Sequence, residues 1–386
     1  MTGCFSCRVK IDCIVHSKIR LRENSIKSFE NVYMTSNTYF SVSFHCICYT
    51  SEKYYNTSIA TLKFTLCLLH SQPPLLLFNG HKLIAERRDI MQVNEKPHIL
   101  LVDGMALLFR SFFATSVFGQ YFRNEQGVPT NGVQGFARHV LTAKQMMQPT
   151  HMAVCWDMGA HTFRNDLFDG YKSNRPAPPE EMLPQFDMAK DISKMLGWKN
   201  FGEVGMEADD LIGSMACKWQ NEANITIVSG DKDLLQLLSP TIKIAFTKKG
   251  YAVYDEYTYD RFIAEYQIEP AVFADVKAFM GDSSDGYPGV KGIGPKNALQ
   301  LIQAYGSVEG VIESLGELKP GQKKKIEENL DMLRLSKKLA QIHCEMDLPI
   351  ELNELLIPAY KHEQLQQLEL AGFALTSRHA RSLYSI

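Results

Sequence analysis

Beyond residue 97 the chain alternates short apolar runs with longer stretches of helical spacing. The runs ILLV (99–102), MAVCW (152–156) and ITIV (225–228) carry no charged residue, the pattern of strands buried on both faces. Between them, GVQGFARHVLTAKQMM and EADDLIGSMACKWQNE place apolar residues at helical intervals, and the second opens on acids that suit a helix N-terminus. Alternation of this kind predicts an α/β core, a mostly parallel sheet flanked by helices. The stretch FRNDLFDGYKSNRPAPPEEMLP, about 163–184, turns polar, basic and proline-rich and is too long for an ordinary connection, so it reads as a functional lid or arch. From about Tyr266 onward the pattern is helical to the end, giving an expected division into 91–265 and 266–386.

The first ninety residues follow neither period. They hold six of the nine cysteines but only two of 25 glycines and two of 16 prolines, so turn punctuation is scarce. They carry eleven basic and six acidic residues, against 30 and 37 in the remainder, beneath an overall net charge of -2. That balance excludes a histone-like polycation and leaves room for local patches that steer a charged partner. No secretory leader pattern is present, and the most apolar stretch, Leu62–Phe78, is broken by Lys63, His70 and Pro73-Pro74, so no membrane segment is expected. Cys4-x-x-Cys7 with Cys13 and His16 has zinc-type ligands but lacks a second pair at finger-like spacing. Met91, followed by polar MQVNEKP and then the strand-like HILLVD, reads as a natural start. Residues 1–90 are therefore expected to be an upstream-extended gene model or a poorly ordered appendage, which an abundant native peptide from before Met91 contradicts.

Carboxylates stand immediately after each apolar run: Asp103 after ILLV, Asp157 after MAVCW, and Asp231 with Asp233 after ITIVSG. In a parallel sheet the C-terminal strand ends form one edge, the usual place of a ligand crevice, so these acids are expected to converge. Glu207, Asp209 and Asp210 open a helix, and Asp282 and Asp285 sit in the loop GDSSDG, which raises the candidates to nine. A lone Asp at such a position is more often a cap or turn residue than a ligand. Nine together would repel and raise one another's pKa values unless cations neutralise them. All-oxygen ligands favour Mg²⁺ or Mn²⁺ over zinc, and this many suit two ions about 4 Å apart, the arrangement of phosphodiester chemistry.

In GVKGIGPKNALQLI (289–302), Gly292 and Gly294 precede Pro295 at a first helical position, flanked by Lys291 and Lys296. Unpaired N–H groups at such a helix start point at an anion, so the segment reads as a helix-hairpin-helix cradle for a duplex phosphate backbone. The basic lid adds Arg164, Lys172 and Arg175, with Tyr171 between them as a ring for stacking. Taken alone, runs of that kind are mostly solvated loops.

In order along the chain, LLVDGMALLFRSFF, VCWD, FRNDLFDGYKSNR, GMEADDLIGSMA, SGDKDLLQLL and MGDSSDGYPGVKGIGPKNA resemble the 5′-nuclease (flap endonuclease) family. They are most similar to stand-alone bacterial relatives of the 5′-to-3′ exonuclease domain of DNA polymerase I. The resemblance covers about Pro97 to the C-terminus and implies a PIN-like core, a helical arch and a C-terminal helix-three-turn-helix that grips duplex. It implies that Asp103, Asp157, Glu207, Asp209 and Asp210 surround a first metal, and that Asp231, Asp233, Asp282 and Asp285 lie toward a second. It also implies that Lys172 and Arg175 are arch cations contacting the scissile phosphate, that Arg110 and Arg164 are basic positions near the active site, and that Tyr171 stacks on nucleic acid. Trp156 stands where relatives often carry Phe, and Gly286 where many carry Asn.

The implied activity is metal-assisted hydrolysis of DNA near 5′ ends or flaps beside duplex, leaving a 5′-phosphate and a 3′-hydroxyl, by a monomeric, cytoplasmic, nucleoid-associated enzyme of replication or repair. Two alternatives stay open: a PIN-type ribonuclease, and a non-catalytic DNA-structure-binding protein whose acids hold structural ions. Neither a Ser-His-Asp nor a Cys-His arrangement stands out as a rival, since Cys155 and Cys217 fall in apolar or helical context.

Overall fold

The computed structural model describes residues 7–15, 40–50, 53–55, 96–116 and 119–384. The chain divides into two compact units, Met1–Val93 and Asn94–Ile386. In the first, β1 (Cys7–Val15), β2 (Phe40–Thr50) and β3 (Lys53–Tyr55) pair as an antiparallel sheet. The hydrophobic pattern predicts no strand there; ladders formed by backbone groups need no particular side chain. Cys4, His16, Leu62–Phe78 and Met91, on which the zinc, membrane and start-site expectations rest, lie outside the described residues.

In the second unit the three predicted strands are β4 (His98–Asp103), β5 (His151–Cys155) and β7 (Asn224–Ser229). They are joined by β6 (Lys199–Phe201), β8 (Ile242–Thr247) and β9 (Tyr254–Tyr257) in the order β6-β5-β4-β7-β8-β9, all parallel except β9. Side chains alternate across β4: Ile99 and Leu101 enter one apolar layer, Leu100 and Val102 the other. The first layer is completed by α5 (Ala208–Trp219) and by α7 (Phe273–Met280). The second is completed by α1 (Gly104–Thr115), α2 (Asn131–Met147) and α4 (Leu183–Met195). Trp156 packs against the backbone of Gly104, where a Cβ would lie 2.6 Å from its ring, and its indole N–H donates to Asn200 at 2.7 Å. A Phe at this place would leave that amide oxygen without the bond.

The arch has helical legs, α3 (Phe163–Leu167) and α4, while its crown from 168 to 182 is turns and extended chain. Gly170, Pro176, Pro178 and Pro179 account for the missing helix there. After the sheet come α6 (Tyr259–Tyr266), α7, α8 (Pro295–Tyr305), α9 (Val308–Glu313), α10 (Pro320–Glu327) and α11 (Leu330–Ala340). The expected duplex-binding region, 266–386, does not continue to the end as a separate body. Tyr360, Leu365, Leu368, Phe373 and Ala380, on and around α12 (His362–Leu370) and α13 (Ala374–Tyr384), return to the layer that holds Leu100 and Val102. Among the described residues no helix is long and apolar enough to cross a membrane.

Candidate active site

Because β4 lies between β5 and β7, the residues after these three strands stand side by side. Asp103 ends β4 and caps α1, its Oδ1 accepting the Ala106 N–H at 2.8 Å. Its Oδ2 accepts the Ser229 hydroxyl at 2.6 Å, and the same Ser229 oxygen accepts the Asp231 N–H at 3.0 Å. Asp157, just past β5, accepts the Ala208 N–H at 2.6 Å and so binds the start of α5 to the strand ends. Glu207 and Asp209 come from that helix start. Asp103, Asp157, Glu207, Asp209 and Asp231 thereby line one cleft of about 450 Å³. Ser229 was not among the sequence-derived candidates; its signal was only its place between ITIV and Asp231.

Lys172 and Arg175 relieve the cleft's negative charge only in part. Burial pushes the Asp103 carboxyl up to about 7 despite bonds from Ser229 and Ala106, and Asp157 and Asp231 add to the rise. Burial, with the charges of Asp231 and Asp103, holds Asp209 well above the usual carboxylate range. Burial also raises Asp157, against the bond from Ala208. Met105, Phe109, Phe113 and the Pro176–Pro179 stretch of the arch complete the lining with apolar groups.

Lys172 and Arg175 both line the cleft. Lys172 adopts a left-handed backbone (φ 53°), held by its N–H to the Asp285 carbonyl at 2.7 Å, and its ammonium lies 2.8 Å from Glu207. Arg175 reaches Asp285 at 2.6 Å, and Asn174 donates to the Ser283 carbonyl at 2.6 Å. The arch therefore docks on the GDSSDG loop. Gly286 allows it: its φ is 82°, and a Cβ would lie 2.6 Å from the Gly170 carbonyl oxygen.

Several candidates stand elsewhere. Asp210, expected at the first metal, is fully buried and turned from the cleft, paired with Arg164 through bonds of 2.7 and 2.8 Å and accepting the His343 N–H at 2.8 Å. Arg164, expected near the active site, is equally buried beside it: its guanidinium lies 3.4 Å from Glu207, and its other donors go to the carbonyls of Leu339 and Gln341. Tyr171, expected to stack on bases, is 3% exposed; its hydroxyl sits 3.1 Å from Glu207 and 3.3 Å from Asp285. Arg110 does not line the cleft; its charge bears on His139 and Tyr254. Asp233 and Asp282 share a residue the sequence reading missed, Lys277 of α7, whose ammonium lies 2.6 Å from Asp233 and also contacts Asp282. Asp285 is engaged by Arg175 and Tyr171.

The five cleft acids fit a hard divalent cation: their donors are carboxylate oxygens, hydroxyl and N–H groups alone serve Asp103, Asp157 and Asp231, and only Glu207 is paired with cations, Lys172 and Arg164. The cleft is lined rather than contracted, since among the described residues no three acid, His or Cys side chains already form a ligand set. At the hairpin, Gly294 caps α8 with Pro295 at its first position, and Lys291, Gly292, Gly294 and Lys296 are all exposed. Lys325, also absent from the sequence-derived candidates, pins the turn by donating to the Gly292 carbonyl at 3.0 Å.

With this geometry in place, two family models match the chain. One describes the 5′-3′ exonuclease N-terminal resolvase-like domain over residues 98–267, the other the 5′-3′ exonuclease C-terminal SAM fold over 268–363. A 5′-3′ exonuclease of Bacillus subtilis is 52% identical over 258 residues, 67% of this chain and 87% of that protein. A DNA polymerase I of Lactococcus lactis subsp. lactis is 36% identical over 290 residues, 73% of this chain and 33% of the polymerase. The chain thus spans about a third of that polymerase. Among solved structures, T5 5′-exonuclease with divalent zinc ions gives a TM-score of 0.55 at 18% identity, covering 75% of this chain and 99% of that one. A bacteriophage T5 D15 flap endonuclease with DNA and metal ions gives 0.53 at 19%, covering 75% and 100%. At these identities the likeness is one of fold.

Proposed function

This chain belongs to the 5′-3′ exonuclease family and is a nuclease, and from that premise we propose that it hydrolyses DNA phosphodiesters near 5′ ends or flaps beside duplex, using Mg²⁺ or Mn²⁺. One observation carries this reading: five carboxylates from four separate segments line a single cleft, with Asp103 and Asp209 held above their ordinary pKa range. Asp103, Asp157, Glu207, Asp209 and Asp231 would hold the ion, which when bound supplies Lewis acidity toward the phosphate and relieves the acids' mutual repulsion.

The chain's own residues supply the rest. Lys172 and Arg175, paired with Glu207 and Asp285, face the same cleft and offer donors to a phosphate that enters it. The apolar wall of Phe109 and Phe113 offers flat faces to nucleobases while the acidic wall faces the backbone. The exposed hairpin at Gly294, with Lys291 and Lys296, would hold duplex phosphates through helix-terminal N–H groups and point charges. Cleavage by this arrangement leaves a 5′-phosphate and a 3′-hydroxyl, and we assign the protein to replication or repair as a monomer in the cytoplasm.

The test incubates a 5′-flap DNA, a matched RNA and a blunt duplex with the full chain in Mg²⁺, then repeats with EDTA and with Asp231→Asn. Cutting of the flap that both controls abolish supports the reading. Preference for RNA, or binding without cutting, overturns it.

A further inference from the structure

The nine acids differ in what serves them: Glu207 is paired with Lys172 and Asp210 with Arg164, whereas no cation contacts Asp209 among the described residues. Hydroxyl and backbone donors serve Asp103, Asp157 and Asp231. Three of the four acids expected around a second ion, all but Asp231, have a cation in contact: Asp285 has Arg175, and Asp233 and Asp282 share Lys277, although burial and the charge of Asp231 still push the Asp233 carboxyl up to about 7. Lys277 is no surface residue that strayed inward. It is 8% exposed on α7, among the buried Phe273, Ala274, Val276, Ala278 and Phe279, and its ammonium reaches both Asp233 and Asp282. Further bonds fix Asp282: its Oδ1 accepts the Ser284 N–H at 2.8 Å and the Ser284 hydroxyl at 2.5 Å. Burial opposes ionisation of Asp282, yet the bonds from Lys277 and Ser284 hold its carboxyl at about 2.

We propose that Lys277 is the resident cation of the second acidic group, a positioning residue that a second divalent ion must displace before Asp233 and Asp282 can ligate it. The physical ground is competition: an ammonium and a divalent ion cannot share two carboxylates at contact distance in a partly dry site without strong repulsion. Among the five cleft acids only Glu207 is paired, with Lys172 at 2.8 Å and Arg164 at 3.4 Å, while among the described residues no cation stands at contact distance from Asp103, Asp157, Asp209 or Asp231. The two ions therefore bind unequally in the absence of DNA, with Lys277 setting the gap. This inference rests on the metal-dependent reading above and goes beyond it in naming what controls occupancy.

The experiment titrates Mn²⁺ into the full chain without DNA and counts bound ions by electron paramagnetic resonance and calorimetry. In the wild type one ion is expected to bind, with the second weaker by about tenfold or more, and Lys277→Met tightens the second by a similar factor while leaving the first unchanged. Asp103→Asn removes the first ion in either background. Two equally tight ions in the wild type, or an unchanged second affinity in Lys277→Met, overturns the inference and leaves the metal-dependent reading standing. Absence of any Mn²⁺ binding overturns both. Should Lys277→Met fail to fold, ¹⁵N detection of lysine ammonium groups in the wild type decides instead. A protected Lys277 signal that survives the first Mg²⁺ and is lost with the second supports displacement; one that survives both contradicts it.

Discussion

The Arg164 guanidinium meets the Asp210 carboxylate in two parallel bonds, of 2.7 and 2.8 Å, with 2% and 0% of the two residues exposed. The pair joins the foot of the arch to the start of α5, and through Leu339 and Gln341 to the end of α11. Two residues that sequence types alone assign to phosphate and metal thus neutralise each other beneath the cleft. Breaking such a pair leaves an uncompensated buried charge, so Asp210→Asn should cost about 3–5 kcal/mol of stability. Replacing both partners, as Arg164→Met with Asp210→Leu, should recover much of that loss, as read by denaturant unfolding.

The metal-free protein should lose stability as pH rises from about 4 to about 7. The Asp103 carboxyl moves from its ordinary 3.8 to about 7 on folding, so across that window the folded state binds more protons than the unfolded one. Stability then falls with rising pH, and Asp209 acts in the same direction. Mg²⁺ should remove most of the slope by stabilising the ionised acids. Asp282, held at about 2, acts oppositely, contributing stability that is lost only as pH falls from about 4 toward 2. Thermal melting over this range, with EDTA or Mg²⁺, checks the signs.

Gly286→Ala should loosen the arch. The new Cβ meets the Gly170 carbonyl at 2.6 Å in a backbone conformation that side chains disfavour, a penalty of about 1–3 kcal/mol. Faster proteolysis within 168–182, with little change in the sheet's melting, is the expected signature.

Lys296→Ala should weaken duplex binding about equally for all sequences and lower the salt slope by roughly 0.9, as loss of one phosphate contact requires. Single-turnover cleavage at saturating protein should change little. Affinity measured across salt concentrations, compared with the wild type, provides the check.

Asp103, Asp157 and Asp231 were legible because each follows a short apolar run whose length and spacing from the helical segments suit a buried strand, and parallel pairing brings the ends of such strands to one edge. Residues 163–184 and the hairpin glycines were legible through proline, glycine and charge. Arg164 and Tyr171 were not: an arginine serving phosphate and one serving Asp210, 46 positions away, look alike in sequence. Lys277 carried a faint signal, the one cation in the largely apolar FADVKAFM, five residues before Asp282. The return of α12 and α13 to the sheet was hidden for a general reason, since an amphipathic pattern shows that a face is buried without saying against what.

The central claim is that acids from separate segments hold a divalent cation at one strand-end cleft. Anomalous diffraction from crystals of the full chain soaked in Mn²⁺ tests it most directly. A peak in the cleft bounded by Asp103, Asp157, Glu207, Asp209 and Asp231, lost in Asp103→Asn, is the predicted result. No peak there at Mn²⁺ concentrations that support cleavage would contradict the account.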